Sequence, residues 1–284
     1  MKILVTGATG NVGQEVLTQL RASGHQAIAG LRDAPSKTVS DAVQVDFAAG
    51  IGSDDTFDAI FLMRPPQLAD ATLFEHFLKR YSRDTRIVFL SVQGADRRSY
   101  LPHAKIEKVI TQMGFPHVFV RPGYFMENLL TTLWRDLQDD QRIYLPAAQL
   151  GFDWVSARDV AAVAVAGLIN PDTPQAVTVS SGQLIGFAKV CAIINELTGS
   201  QLRYQPASII GYVRHARRKG HKWSYILVML MLHALPRLTG QSAGDASVAG
   251  RLLGRPPETL RHFVTRNAAV FQGLRGQGGQ PPPA

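Results

Sequence analysis

Over its first 180 residues the chain alternates short apolar runs with stretches of helical periodicity. KILVT (2–6), AIAGL (27–31), AVQVD (42–46), DAIFLM (58–63), RIVFLSV (86–92) and HVFVR (117–121) read as strands. Between them, Val12, Val16, Leu17 and Leu20 share one face of a helix over 11–22, and Phe74, Phe77, Leu78 and Tyr81 mark another helix face. Near-continuous apolar strands are covered on both sides, and strands separated by helices form βαβ units. The pattern therefore predicts an α/β fold built on a parallel sheet.

After residue 122 the texture becomes more helical. Met126, Leu129, Leu130, Leu133 and Leu137 stripe a helix. Ser156-x-x-Asp159 reads as a capping box before an Ala/Val-rich helix, and AVTVS (176–180) as a further strand. Phe187, Val190, Cys191, Ile194 and Leu197 lie on one face, which assigns Cys191 to a core. Residues 206–272 read as mostly helical, and GLRGQGGQPPPA (273–284) as a disordered tail. The expected division is a nucleotide-binding unit over 1–180, a smaller lobe for substrate or partner over 181–272, and the tail.

Charge sharpens this division. Residues 201–284 hold 12 Lys/Arg and 2 Asp/Glu, leaving 18 and 20 for the first 200 residues. The whole basic excess thus belongs to the lobe and points to an anionic ligand or an acidic protein partner. The cluster Arg214, Arg217, Arg218, Lys219 and Lys222 belongs to no recognised nucleic-acid-binding motif. A single cysteine excludes an intrachain disulfide, and MKILVTG lacks the features of a signal peptide, so a reducing cytoplasmic location is expected. The longest strongly apolar stretch, residues 223–235, is 13 residues, short of the roughly 20 needed for a membrane span.

The clearest chemistry lies in TGATGNVG (6–13). Gly7 permits a tight turn, Gly10 lets the backbone approach a pyrophosphate, and Gly13 lets the following helix pack against the first strand. Placed between a strand and a helix, these glycines are the dinucleotide fingerprint of a doubly wound Rossmann fold, with phosphates at the helix N-terminus. The second strand ends Gly30-Leu31-Arg32-Asp33. Arg32 is placed to take the 2′-phosphate of NADP(H), while Asp33 leaves NAD(H) as the lesser option. Asp46, at the end of the third strand, either accepts from the adenine amino group or caps its own strand end.

Taken in order, TGATGNVG, Arg32, FLMRPP (61–66), FLSVQGAD (89–96), PHAKIE (102–107), RPGYFMEN (121–128) and FDWVSARDVA (152–161) resemble the NmrA-like group of atypical short-chain dehydrogenase/reductases. LLGRPPETLRHFV (252–264) extends the likeness more loosely. The resemblance implies a mostly parallel dinucleotide-binding sheet with a small C-terminal lobe. It implies either reduction of quinones, azo compounds or iminium substrates, or NADP binding without turnover in a redox sensor. It further implies that the cofactor runs along Gly7, Thr9, Gly10, Asn11, Val12, Gly13 and Arg32, with Asp46 and Phe47 at the adenine. Met63 and Arg64 would flank the ribose and pyrophosphate. Ser91, Lys105 and the Pro122–Phe125 turn, with Tyr124 and Phe125, would flank the nicotinamide.

Within RRSYLPHAKIE the usual dyad of such enzymes is absent. A tyrosine four residues before Lys105 would activate a carbonyl, but that position holds Leu101, and Tyr100 falls in the loop before Pro102. Lys105 sits about 90° from the apolar stripe Ile106, Val109, Ile110 and Met113, where it can reach a cleft edge. His103 and Glu107, four apart, read as a local helix contact, and no third ligand suggests a metal. Two functions remain open: an NADPH-dependent reductase of a small quinone-like or aromatic acceptor, and a non-catalytic NADP(H) sensor that binds a protein. The helix pair formed by 206–222 and 223–235 is expected to cap the nicotinamide end, with Met229 and Met231 as an apolar wall.

Overall fold

The computed structural model describes residues 1–33 and 41–275. The first half winds β1 (Lys2–Thr6), α1 (Asn11–Ala22), β2 (Gln26–Leu31), β3 (Ala42–Gln44), β4 (Ala59–Met63), α2 (Thr72–Leu78), β5 (Arg86–Leu90), α3 (Pro102–Gln112) and β6 (His117–Pro122). Then come β7 (Tyr124–Phe125), a 3-10 turn (Met126–Leu129), α4 (Trp134–Asp140), β8 (Arg142–Leu145), β9 (Gly151–Val155), α5 (Ala157–Ile169) and β10 (Ala176–Val179). The remainder is β11 (Leu184–Gly186), α6 (Phe187–Thr198), β12 (Arg203–Pro206), α7 (Ile209–Arg218), α8 (Trp223–His233), α9 (Pro236–Thr239), α10 (Ala246–Leu253), α11 (Leu260–Arg266) and α12 (Ala268–Gln272).

Seven strands form one sheet in the order β10-β6-β5-β4-β1-β2-β3, and every pairing in it is parallel. Successive side chains of a strand point to opposite faces, and the cores follow that alternation. Ile3 and Val5 of β1, with Ala59 and Phe61 of β4, pack under α1 and α5. Leu4, Ile60 and Leu62 face the other way, onto Phe74 and Phe77 of α2 and Ile106 and Ile110 of α3. The chain leaves β1 in opposite directions, to β2 on one side and β4 on the other. That reversal is the topological switch point, where the strand ends open a crevice.

A third core forms the lobe, and it is not drawn from 181–272 alone. Met126, Trp134, Leu145, Phe152 and Trp154 join Phe187, Ile194, Phe263 and Phe271 in it. In exchange, Ala249 of α10 returns to the sheet side and packs with α5 and β10. Nucleotide-binding unit and lobe are therefore interleaved in sequence. Two small sheets, β11-β9-β7 and β12-β8, stitch the lobe together.

Three local expectations change. The stripe over 126–137 is not one helix: the Thr131 hydroxyl bonds back to the Glu127 carbonyl at 2.9 Å, and such a local bond competes with helix propagation. The capping box is half made. The Ser156 hydroxyl accepts from the Asp159 N–H, but the Asp159 carboxylate turns to Arg255 and to the Glu258 N–H, pinning the segment after α10. Finally, α8 is not buried all round: Ile226, Met229 and His233 face the core, whereas Met231 is exposed. Of the tail read as disordered, Gly273–Arg275 form a 3-10 turn with Leu274 buried, and the rest, from 276 onward, lies outside the described residues. No helix among the described residues is long and apolar enough to cross a membrane.

Candidate functional site

The glycine turn is closed from two sides. Gly7 has φ +63, and a Cβ there would lie 2.3 Å from the Met63 methyl carbon at the end of β4. A Cβ on Gly13 would fall 2.1 Å from the Gly7 carbonyl oxygen, so α1 approaches this closely only as glycine. Gly10 caps α1 without a side-chain cap, and no acidic residue sits in the first turn. The leading N–H groups of α1, from Asn11 and Val12 onward, are thus left for an anion. Thr9 is exposed at the tip, its carbonyl accepting from the Gln14 amide at 3.1 Å. The Thr6 hydroxyl, which the sequence reading missed, ties the floor together: it donates to the Phe61 carbonyl and accepts from the Met63 N–H.

β1 and β2 pair as far as Thr6 and Gly30. Arg32 follows two residues later, exposed beside the turn, and its guanidinium has no partner among the described residues. Asp33 is exposed next to it. Asp46 is a strand-end cap, its carboxylate accepting from the N–H groups of Ala48 and Ala49 at 2.9 and 3.1 Å. Phe47 is corrected to a core residue: it is buried against Phe74 and Phe77. Arg64 does not stay free. Its guanidinium clamps its own loop through the carbonyls of Pro65, Pro66 and Leu68, and its Nε donates to the His103 Nε2 at 3.4 Å.

The ends of β5 and β6 hold a buried charge network. Glu107 is 6% exposed. Its carboxylate accepts from the Ser91 hydroxyl at 2.5 Å and from Arg121 at 2.9 and 2.6 Å. The bond to Glu107 raises the Arg121 pKa. The expected His103–Glu107 contact is therefore replaced. His103 pairs with Arg64 instead, and burial followed by the Arg64 charge lowers its pKa to about 4. The Ser91 hydroxyl is committed to Glu107. Lys105 lies on the exposed side of the first turn of α3, with no partner among the described residues, and Tyr100 is 59% exposed in the preceding loop. The two form no dyad.

The Pro122–Phe125 turn straddles the sheet and the lobe. A Cβ on Gly123 would lie 2.2 Å from the Asp153 carbonyl, so glycine allows β9 to cross here. Phe125 packs toward the sheet side, and Tyr124 toward the lobe. Tyr124 touches Phe152, Trp154, Phe187 and His233, and its hydroxyl lies 3.0 Å from the His233 Nε2. The His233 Nδ1 faces the Met229 carbonyl at 2.8 Å. A carbonyl only accepts, so Nδ1 carries the proton and Nε2 accepts from Tyr124. Burial keeps His233 neutral, with a pKa lowered to about 4, and pushes the Tyr124 phenol up. Of the two methionines expected to form an apolar wall, Met229 is buried in the lobe core and Met231 is exposed.

Asp136, Asp140 and His215 lie close enough for a metal. The cation there is Lys219, whose ammonium lies 2.8 Å from Asp136 and 2.9 Å from Asp140. Cys191 is buried, and its thiol pKa is pushed up to about 12, as befits packing.

Residues 86–215 match the model of the NmrA-like family. An NAD(P)H azoreductase of Xenophilus azovorans is 27% identical over 286 residues, covering 95% of this chain and 99% of its own. An NADPH-dependent quinone oxidoreductase of Escherichia coli, solved with NADPH, is 19% identical with a TM-score of 0.78. That alignment covers 93% of this chain and 99% of the other. NmrA, a negative transcriptional regulator solved with NADP, is 15% identical with a TM-score of 0.67, over 97% and 98% of the two chains. With its glycine turn, its all-parallel sheet and its helical C-terminal region, the chain has a Rossmann-type fold, and its residues 86–215 resemble the NmrA-like family.

Proposed function

We propose that this protein binds NADP(H) along the strand-end crevice and reduces a small quinone-like or aromatic acceptor. The observation that carries the reading is the pairing of a glycine-lined, uncapped helix start with the guanidinium of Arg32, which has no partner among the described residues. A planar guanidinium matches a phosphate through two parallel hydrogen bonds. When bound, NADPH supplies a hydride from its nicotinamide. Arg32 holds the 2′-phosphate, the turn at 7–13 cradles the pyrophosphate, and Lys105 takes the nicotinamide ribose hydroxyls. Residues 1–180 carry most of this site. The lobe, with Tyr124 and Met229 facing inward, keeps the acceptor end dry.

The missing dyad selects the acceptor. An alkoxide is strongly basic and calls for a nearby acid. Tyr100 is out of place, and the Tyr124 proton is held by His233. A quinone that accepts a hydride becomes a weakly basic phenolate-type anion and takes its proton from water. The sum is quinone, NADPH and a proton giving hydroquinone and NADP⁺. The likeness to an azoreductase and a quinone oxidoreductase supports acceptors of this class. Stopped-flow absorbance of reduced nicotinamide tests it: mixing the NADPH complex with a naphthoquinone should oxidise the cofactor in single turnover.

The second reading, a non-catalytic NADP(H) sensor, is favoured by the same lack of a free acid and by the likeness to a transcriptional regulator. It is supported if NADPH stays reduced across quinones, azo dyes, aldehydes and ketones while binding of a protein partner depends on the presence or redox state of the cofactor.

A further inference from the structure

The outer half of α8 is apolar and uncovered. Trp223, Leu227, Val228, Met231 and Leu232 are all exposed, Leu227 at 61%. At 3.6 residues per turn they fall within about half the helix circumference. Leu235 and Leu238, the latter 86% exposed, carry the strip on into α9. On α7, Ile210 is 69% exposed, and the Arg217 guanidinium lies 5.4 Å from the centre of the Trp223 ring. The cationic face of α7 and the apolar arc of α8 are therefore one surface. An apolar patch of this extent, rimmed by charge, marks an interaction site.

The rim has one sign. Between residues 201 and 244 the sequence holds 7 Lys/Arg and no Asp or Glu. The nearby carboxylates are already matched: Asp136 and Asp140 hold Lys219, and Asp139 lies 3.4 Å from Arg135. Arg214 and Arg218, one turn apart on α7, are exposed and have no carboxylate partner among the described residues. With Arg142, His215 and Tyr144 they line an open cavity of about 240 Å³ that has no acidic residue in its wall. The buried Nε of Arg142 is unpartnered there.

We propose that this face docks the protein on an anionic lipid surface. The apolar arc of α8 and α9 enters the interface, and Arg214, Arg217, Arg218 and Lys222 engage lipid phosphates, with a headgroup phosphate taken up in the Arg142–Arg214–Arg218 cavity. Three observations favour lipid. The surface is a convex helix, apolar over half its girth with cations beside it, the form of a helix lying in a bilayer interface. A second copy docked by the same face would set its cations against an identical set. With 11 residues, α8 is too short to span and is suited to lie flat. The inference does not depend on the cofactor reading.

The test is flotation of the full chain with phosphatidylcholine vesicles, with and without phosphatidylglycerol. Of the three tryptophans, Trp134 and Trp154 are buried, so a blue shift in emission on binding reports Trp223. The protein should float with the anionic vesicles only, with the blue shift, and high salt should release it. Leu227→Glu should cut the affinity about tenfold or more, and Arg214→Ala and Arg218→Ala about fivefold each. All three positions are exposed, so thermal melts should match wild type. The inference is overturned by failure to float with anionic vesicles, or by flotation that Leu227→Glu leaves unchanged. It is also overturned if the protein forms a dimer, or binds an acidic protein, that Leu227→Glu breaks while vesicles are ignored.

Discussion

The sheet side and the lobe side of this protein bury carboxylates in opposite ways. On the sheet side Glu107 is enclosed with two oxygens fully engaged by Ser91 and Arg121. At the joint with the lobe, Glu127 accepts one bond, from the Ala157 N–H at 2.9 Å, and its second oxygen is buried without a partner. The ion pair fixes the strand ends; a buried carboxylate oxygen without a partner drives its group toward the neutral form. Burial raises the Glu127 pKa from 4.5 to about 7. The ends of β5 and β6 are thus tied together by an ion pair, whereas the joint to the lobe is pH-sensitive.

The largest expected effect breaks the paired site. Glu107→Ala leaves the Arg121 charge between α3 and β6 with only the half-exposed Asp96 at 3.9 Å, and urea unfolding should show a loss of about 3 kcal/mol. A loss below about 1 kcal/mol would mean that solvent reaches Arg121 freely.

Next comes the unpaired site. Because the folded-state pKa of Glu127 is raised, its stability contribution is complete below about 4.5 and is lost as pH rises through about 7. Glu127→Gln keeps an acceptor for Ala157 and removes the charge. It should be near neutral at pH 4 and stabilising by about 2–3 kcal/mol at pH 8. Equal melting shifts at both pH values would contradict the raised pKa.

Tyr124→Phe leaves the His233 Nε2 buried without a donor and should cost about 1–2 kcal/mol. It should leave single-turnover oxidation of NADPH by a quinone intact, since that proton comes from water. Tyr100→Phe, at an exposed loop position, should change stability by no more than about 0.5 kcal/mol and leave turnover unaltered. A large drop in turnover in Tyr100→Phe would return the displaced tyrosine to the chemistry.

The sheet side was readable because its signals are local. Apolar runs, glycine spacing and helical periodicity each act within a few residues, and β1, α1 and α3 begin where those signals place them. Contacts across the chain were not readable in the same way. Glu107 carried a usable hint: it shares the buried stripe of α3 with Ile106 and Ile110, and a carboxylate there needs a cation. Arg121, on the face of β6 that carries Phe119, was the available one. Phe47 looked like an adenine neighbour by position, but its ring is claimed by two phenylalanines of α2. The Tyr124–His233 pair spans 109 residues, a separation over which periodicity carries no information. For α8, apolarity on all sides implied burial, whereas half of that surface faces outward.

In the proposed cofactor site, Arg32, beside the glycine turn, reads the 2′-phosphate. Isothermal calorimetry of NADPH and NADH against wild type and Arg32→Ala tests it most directly. Wild type should bind NADPH about ten- to a hundredfold more tightly than NADH, the worth of one charge-assisted pair. Arg32→Ala should bring the two affinities together by weakening NADPH alone. Discrimination that survives in Arg32→Ala, or tighter binding of NADH by wild type, would show that Arg32 does not read the 2′-phosphate.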